Sequence, residues 1–163
     1  MTPALSFEEL LAWSDESTQR WFQFLAENPA ALDLPCGIYG TSNVLGLVRH
    51  IVVVEMRHGQ RLSGETVSSY EQFPDGPLDV LAALHTEAVA RFRKLLADPT
   101  QNWAAAMEFV TLTAGTLRSS RRKLLAHTLL HAVRHWAQLS TLTRAAGFPT
   151  GFAGDLLLSS ALQ

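Results

Sequence analysis

Apolar residues recur along most of this chain at intervals of three and four, the period of a helix that buries one face. In the first such stretch, 6–27, Leu10, Leu11, Trp21, Phe24 and Leu25 fall on one side, and Ser14 and Ser17 join them there. Its opening, SFEE, reads as a capping box in which Ser6 accepts from a first-turn amide and Glu9 reaches back to the Ser6 amide. The period breaks at ENPAALDLPCGIYGTSN, where Pro29, Pro35, Gly37 and Gly40 predict a loop. Ser42 or Asn43 is placed to cap a second helix running to about Leu62. A further loop, SSYEQFPDGP, leads to Pro77, which suits the first position of a third helix ending near Asp98-Pro99. Residues 107–118, MEFVTLTAGTLR, change character: Val, Thr and Phe surround Ala114-Gly115, the signature of a β-hairpin. Ser119 or Ser120 then caps a fourth helix that Gly147 and Pro149 end, and GDLLLSSAL predicts a short closing turn.

Amphipathic helices of about 20 residues, four in number and joined by loops, bury their stripes most simply as an all-α four-helix bundle, here with a short hairpin before the last helix. The connection between the first two helices is long for adjacent antiparallel neighbours, so strict up-and-down order does not follow. The fourth helix carries a second apolar side at Leu129, Val133 and Trp136. A helix apolar on two sides must be covered twice, by the C-terminal FAGDLLLSSAL or by another subunit, and a two-fold homodimer is the commonest cover.

Composition narrows the class without changing that picture. A chain of 163 residues has room for one domain, 1–163. With 47% hydrophobic and 17% charged residues and a net charge of −2, it has the make-up of a soluble globule with no general attraction for nucleic acid or anionic membranes. Cys36 is the sole cysteine, which excludes an internal disulfide and fits a reducing compartment. Glu8 and Glu9 precede any long apolar stretch, so the N-terminus does not read as a secretory signal. No uncharged run reaches the roughly 18 residues of a membrane span. A cytoplasmic protein acting on a small-molecule substrate is the expectation.

Candidate chemistry lies in the fourth helix, which holds three of the six histidines at 127, 131 and 135. Four residues advance about 40° around a helix, so His131 and His135 share the face of Leu124, Thr128, Leu139 and Leu142. His127 falls at its edge, near Gln138. Two imidazoles on consecutive turns of a core face need a common reason, and metal coordination supplies one. A third ligand must come from elsewhere. The second helix offers His50 and His58; periodicity puts His58 nearer the apolar Leu47–Ile51–Leu62 face and His50 at its edge beside Val54. His85, alone on the third helix, reads as a surface or internally satisfied histidine.

The second-helix HIVVVE, the hairpin and the last-helix HTLLHAVRHWAQL…LTRAAG together resemble the DinB-like (damage-inducible) superfamily of four-helix bundles over about 7–147. The family's last helix commonly reads His-x3-His-Arg-Gly-Gln; here His131, His135 and Gln138 keep the pattern, with Trp136-Ala137 in place of Arg-Gly. The resemblance implies that one second-helix histidine joins the last-helix pair on a divalent metal. Its H-x4-E spacing assigns that place to His50, with Glu55 following and His58 the alternative. It further implies thiol-dependent chemistry, since such proteins include S-transferases using bacillithiol, mycothiol or glutathione and a thiol-dependent isomerase.

Three neutral ligands, His50, His131 and His135, suit zinc or nickel with room for a further ligand, as in catalytic rather than structural sites. A low-molecular-weight thiol is the expected co-substrate, with Glu55 and His127 the candidates for proton transfer or for orienting the ligands, and Ser14 and Ser17 small enough to leave space for substrate. A metal-dependent hydrolase and a non-catalytic stress-response protein are the alternatives. LRSSRRK puts Arg118, Arg121, Arg122 and Lys123 at the start of the fourth helix, a solvated basic turn or a place for an anion.

Overall fold

The computed structural model describes residues 5–111 and 115–161. Four helices, α1 (Phe7–Glu27), α2 (Val44–Ser63), α3 (Leu78–Ala97) and α4 (Arg121–Ala145), form the body, and strands β1 (Ala106–Thr111) and β2 (Gly115–Ser120) form an antiparallel hairpin before α4. The caps are those the sequence offers. Ser6 and Glu9 close both bonds of the capping box, Asn43 accepts from the Gly46 amide, and Ser120 accepts from the Lys123 amide. Pro77 stands one position earlier than expected, as the N-cap of α3. Of the expected hairpin turn, Gly115 has φ +65°, which favours glycine, and Ala114 lies outside the described residues. The closing turn is a short 3₁₀ segment, Leu156–Leu158.

α2 packs on α3 and α4, and α1 packs on the same two helices, so α1 and α2 stand diagonally across the bundle. That arrangement explains the long first connection. Residues 28–43 must cross one end of the bundle, which they do through a 3₁₀ turn at Pro29–Asp33 and an isolated bridge between Pro35 and Asn43. α3 and α4 are likewise diagonal, and the hairpin lies in the connection between them. Two apolar clusters fill the interior. One gathers Trp21, Leu25, Leu47, Ile51, Leu81, Trp136 and Leu139; the other gathers Leu11, Val53, Leu62, Phe92, Leu125 and Leu129.

The second apolar side of α4 is covered within the chain. Trp136 stacks on Trp21 with ring centroids 5.3 Å apart and donates its indole N–H to Thr18 of α1 at 3.0 Å. Leu129 is buried in the Leu11 cluster. Phe148 and Phe152 of the C-terminal segment pack on the first cluster, Phe152 edge-on to Trp21. α4 is apolar on two sides because it faces two helices, α2 and α1. Of the three residues from which a homodimer was expected, Leu129 and Trp136 are buried within the chain and Val133 is half-buried. Arg121, from the basic turn, is engaged too, bonding the Leu62 carbonyl and Gln101 and so tying the start of α4 to the end of α2. No described helix is long and apolar enough to cross a membrane.

Candidate metal centre

α4 presents His131 and His135 one turn apart toward α2, and α2 answers with His50. The three Nε2 atoms converge: His131 lies 3.1 Å from His135 and 3.2 Å from His50. All three residues offer a ligand nitrogen within 4.8 Å of the others. Nitrogens at roughly 2.0 Å from a tetrahedral zinc would stand about 3.3 Å apart, so this donor set fits a divalent ion. The tautomer fits as well. Gln138, one turn beyond His135, accepts from His135 Nδ1–H at 2.7 Å and leaves the Nε2 lone pair facing the cluster. His131 differs, since its buried Nδ1 has no hydrogen-bond partner among the described residues, and the ring's polar contacts are those of Nε2 within the cluster.

Electrostatics keep these rings neutral. Burial pushes the His50 pKa down, His135 and Arg134 push it further, and it reaches about 4. Burial and the neighbouring histidines hold His131 far below the ordinary imidazole value. Burial also lowers His135, with the Gln138 hydrogen bond opposing and Arg134 assisting. Neutral imidazole is the form that binds metal, so no proton must be displaced near neutral pH.

The structure separates His50 from His58. His58 is buried, and its Nδ1 lies 2.8 Å from the Thr128 hydroxyl, which itself donates to the Leu124 carbonyl at 2.8 Å. The hydroxyl hydrogen is thereby used, so His58 is the donor and is satisfied inside the bundle. Burial, followed by Arg61 and His127, lowers its pKa to about 3. The apolar wheel favoured His58 because it ranks depth, whereas the cluster forms at the edge of the stripe, where His50 is half-buried.

Glu55 stands elsewhere. Five residues on from His50 it has turned about 140° around α2, and its carboxylate binds His85 Nδ1 at 2.7 Å. Asp15 of α1 takes the other nitrogen at 3.2 Å and also pairs with Arg93 at 2.7 Å. Burial would lower the His85 pKa, but the charge of Glu55 and the bonds to both carboxylates outweigh it and raise the value to about 9. The hydrogen bond from His85 in turn holds the Asp15 carboxyl below its usual range. His85 is therefore internally satisfied, as a buried imidazolium tying α1, α2 and α3. His127 is exposed, with its ring 5.7 Å from that of His131 and 6.0 Å from that of His58. Ser14 and Ser17 are buried in α1, diagonal to α2.

Other rings cover the histidines. Tyr39, in the loop between α1 and α2, stacks on His50 at 5.5 Å and meets His135 edge-on at 5.6 Å. Its backbone is left-handed at φ 53°, ψ 31°, a conformation that costs a non-glycine residue on the order of 1 kcal/mol. Arg134 places its guanidinium 5.6 Å from the Tyr39 centroid and donates to His135 Nε2 at 3.3 Å. Tyr70 lies against His50 at 6.5 Å and is itself faced by Arg49 at 4.5 Å. Sequence reasoning missed Tyr39, Arg134 and the Asp15–His85–Glu55 chain. A tyrosine between two loop glycines and an arginine beside His135 were the visible signals; nothing in the sequence linked Asp15 to His85.

Fold and site together define a class, a four-helix bundle whose histidine cluster is compatible with a metal ion. The DinB family model matches residues 1–156, and the chain belongs to the DinB family. No curated protein matches it.

Proposed function

We propose that this protein is a metal-dependent enzyme of the S-transferase type, holding zinc or nickel through His50, His131 and His135 and joining a small thiol to an electrophile. The observation that carries the reading is the convergence of three neutral imidazole nitrogens at a half-buried edge between α2 and α4. A bound divalent ion would lower the pKa of a thiol in contact with it, favouring the nucleophilic form near neutral pH. The chain's own groups do the rest. Gln138 fixes the His135 tautomer, and Tyr39 and Tyr70 cover His50 and limit water at the mouth. His127, exposed with its ring 5.7 Å from that of His131, is the proposed acceptor of the thiol proton. In the reaction a sulfur–carbon bond forms, the thiol proton passes to His127 and then water, and the electrophile's leaving group departs.

One observation bears on the source of the nucleophile. Cys36 is buried in the crossing loop and serves the core, which leaves the nucleophile to come from solution. The test compares metal-loaded, chelated and Cys36→Ala protein with several small thiols and electrophiles. Acceleration lost on chelation and kept in Cys36→Ala is expected. Activity that survives chelation but disappears with Cys36 overturns the proposal, and ester hydrolysis without thiol consumption favours the hydrolase.

A further inference from the structure

Arg134 stands exposed on α4 beside the histidine cluster. Arg20, Arg49, Arg91 and Arg93 each pair with a carboxylate. Among the described residues no carboxylate lies within ion-pair distance of Arg134. Its recorded partners are the Tyr39 ring, at 5.6 Å, and His135 Nε2, at 3.3 Å. Tyr39 reaches that place through a left-handed backbone and is anchored by stacking on His50. The loop thus spends an unfavourable conformation to put an aromatic face against a guanidinium beside the histidine cluster.

That guanidinium occupies a nitrogen the metal would need. His135 Nε2 has one lone pair, and coordination would use it; a dication would also repel the arginine. A metal held by the three histidines would require Arg134 to give up this contact, with the Tyr39 ring as its other recorded partner. Its N–H donors would then have no carboxylate partner among the described residues.

The geometry points to Arg134, positioned by Tyr39, as the recognition group for a negatively charged substituent, a carboxylate, on the ligand that enters next to the metal. This rests on the proposed function for the metal and narrows it to carboxylate-bearing small molecules. A neutral ligand of the same size leaves the guanidinium unpaired and the site positively charged. A charge-assisted hydrogen bond to a carboxylate has the strength to give about a 10- to 100-fold preference.

The experiment is calorimetric binding to zinc-loaded protein, using mercaptoacetate against 2-mercaptoethanol and, without sulfur, glycolate against ethylene glycol. Mercaptoacetate and glycolate should each bind about 10- to 100-fold more tightly than the neutral partner. Arg134→Gln should bring both ratios close to one, Arg134→Lys should keep part of each, and Tyr39→Phe should keep more than Tyr39→Leu. Arg134→Gln should also tighten zinc binding to the metal-free protein, because a cation and a competing donor leave His135. Equal affinity for charged and neutral ligands, or ratios unchanged in Arg134→Gln, overturns the inference. If neither thiol binds through sulfur but the glycolate preference persists and depends on Arg134, the carboxylate site stands and the thiol chemistry falls.

Discussion

Two histidine environments flank α2, and they drive the same side chain to different charge states. On the α4 side, His50, His131 and His135 face one another with an arginine nearby; burial and these neighbours disfavour a proton, and the Gln138 hydrogen bond to His135 opposes them without outweighing them. On the α3 side, His85 is more deeply buried than His50 yet holds a proton, because Glu55 and Asp15 each take one of its N–H groups. Burial alone decides neither state. Partners decide, and the lesson is that an unpaired cluster of neutral imidazoles asks for an external cation, whereas the imidazolium between two carboxylates already has its counter-charge.

The largest effect should come from removing a donor on the α4 side. His131→Ala or His135→Ala should weaken zinc or nickel binding by more than about 100-fold, beyond the loss of an outer hydrogen bond, with helical circular dichroism retained. His50→Ala should behave alike. His58→Ala should keep stoichiometric metal, because its ring is committed to Thr128. Metal analysis after dialysis checks this, and full occupancy in His50→Ala with loss in His58→Ala would exchange their roles.

On the other side the expected loss is in stability. His85→Ala leaves Glu55 buried without its partner and should cost about 3–5 kcal/mol, measured by urea unfolding. Metal stoichiometry of the folded fraction should not change. If His85→Ala released metal while leaving stability intact, the two environments would not be separate.

The same contrast has a pH signature. The folded pKa of His85 is raised from 6.5 to about 9, so the folded state binds more protons than the unfolded state in that window. Its stabilising contribution is complete below pH 6.5 and is lost as pH rises through 9, an effect on the order of 3 kcal/mol. Unfolding free energies of the metal-free protein at pH 7.5, above the range in which the neutral histidines gain protons on unfolding, and at pH 9.5 should show about 2 kcal/mol of that fall, and His85→Ala should flatten it. A slope unchanged by the substitution would place its origin elsewhere.

A smaller effect should follow from Gln138→Ala. Loss of the acceptor for His135 Nδ1–H frees the wrong tautomer and should lower metal affinity about 10- to 100-fold, or roughly 1.4–2.7 kcal/mol. Gln138→Glu should restore much of it, since a carboxylate accepts the same proton. Competition with a chromophoric chelator reads both variants.

How much of this was legible beforehand differs by element. Helix limits came through closely, because Ser6, Asn43 and Ser120 are local signals that act within one turn. The His131–His135 pair was equally readable, since four-residue spacing on a helix fixes proximity whatever the surroundings. His50 needed the family resemblance, because a helical wheel ranks burial and the cluster forms at the half-buried margin. The second apolar side of α4 was seen correctly as a surface needing cover, and Phe152 of the C-terminal segment does pack on that cluster, but the main cover, Trp21 and Leu11 of α1, was not foreseen.

What the amino-acid sequence determined by itself is therefore what short-range geometry controls: four capped amphipathic helices, a hairpin, and two imidazoles on one helical face. The tertiary structure alone decided which helices are neighbours and which diagonal, that Glu55 serves His85, and that Tyr39 and Arg134 lie over the cluster. The physical reason is separation along the chain. Asp15 and His85, or Tyr39 and Arg134, are brought together by the burial of whole apolar faces, and no local propensity carries information about which distant side chain that burial will place alongside.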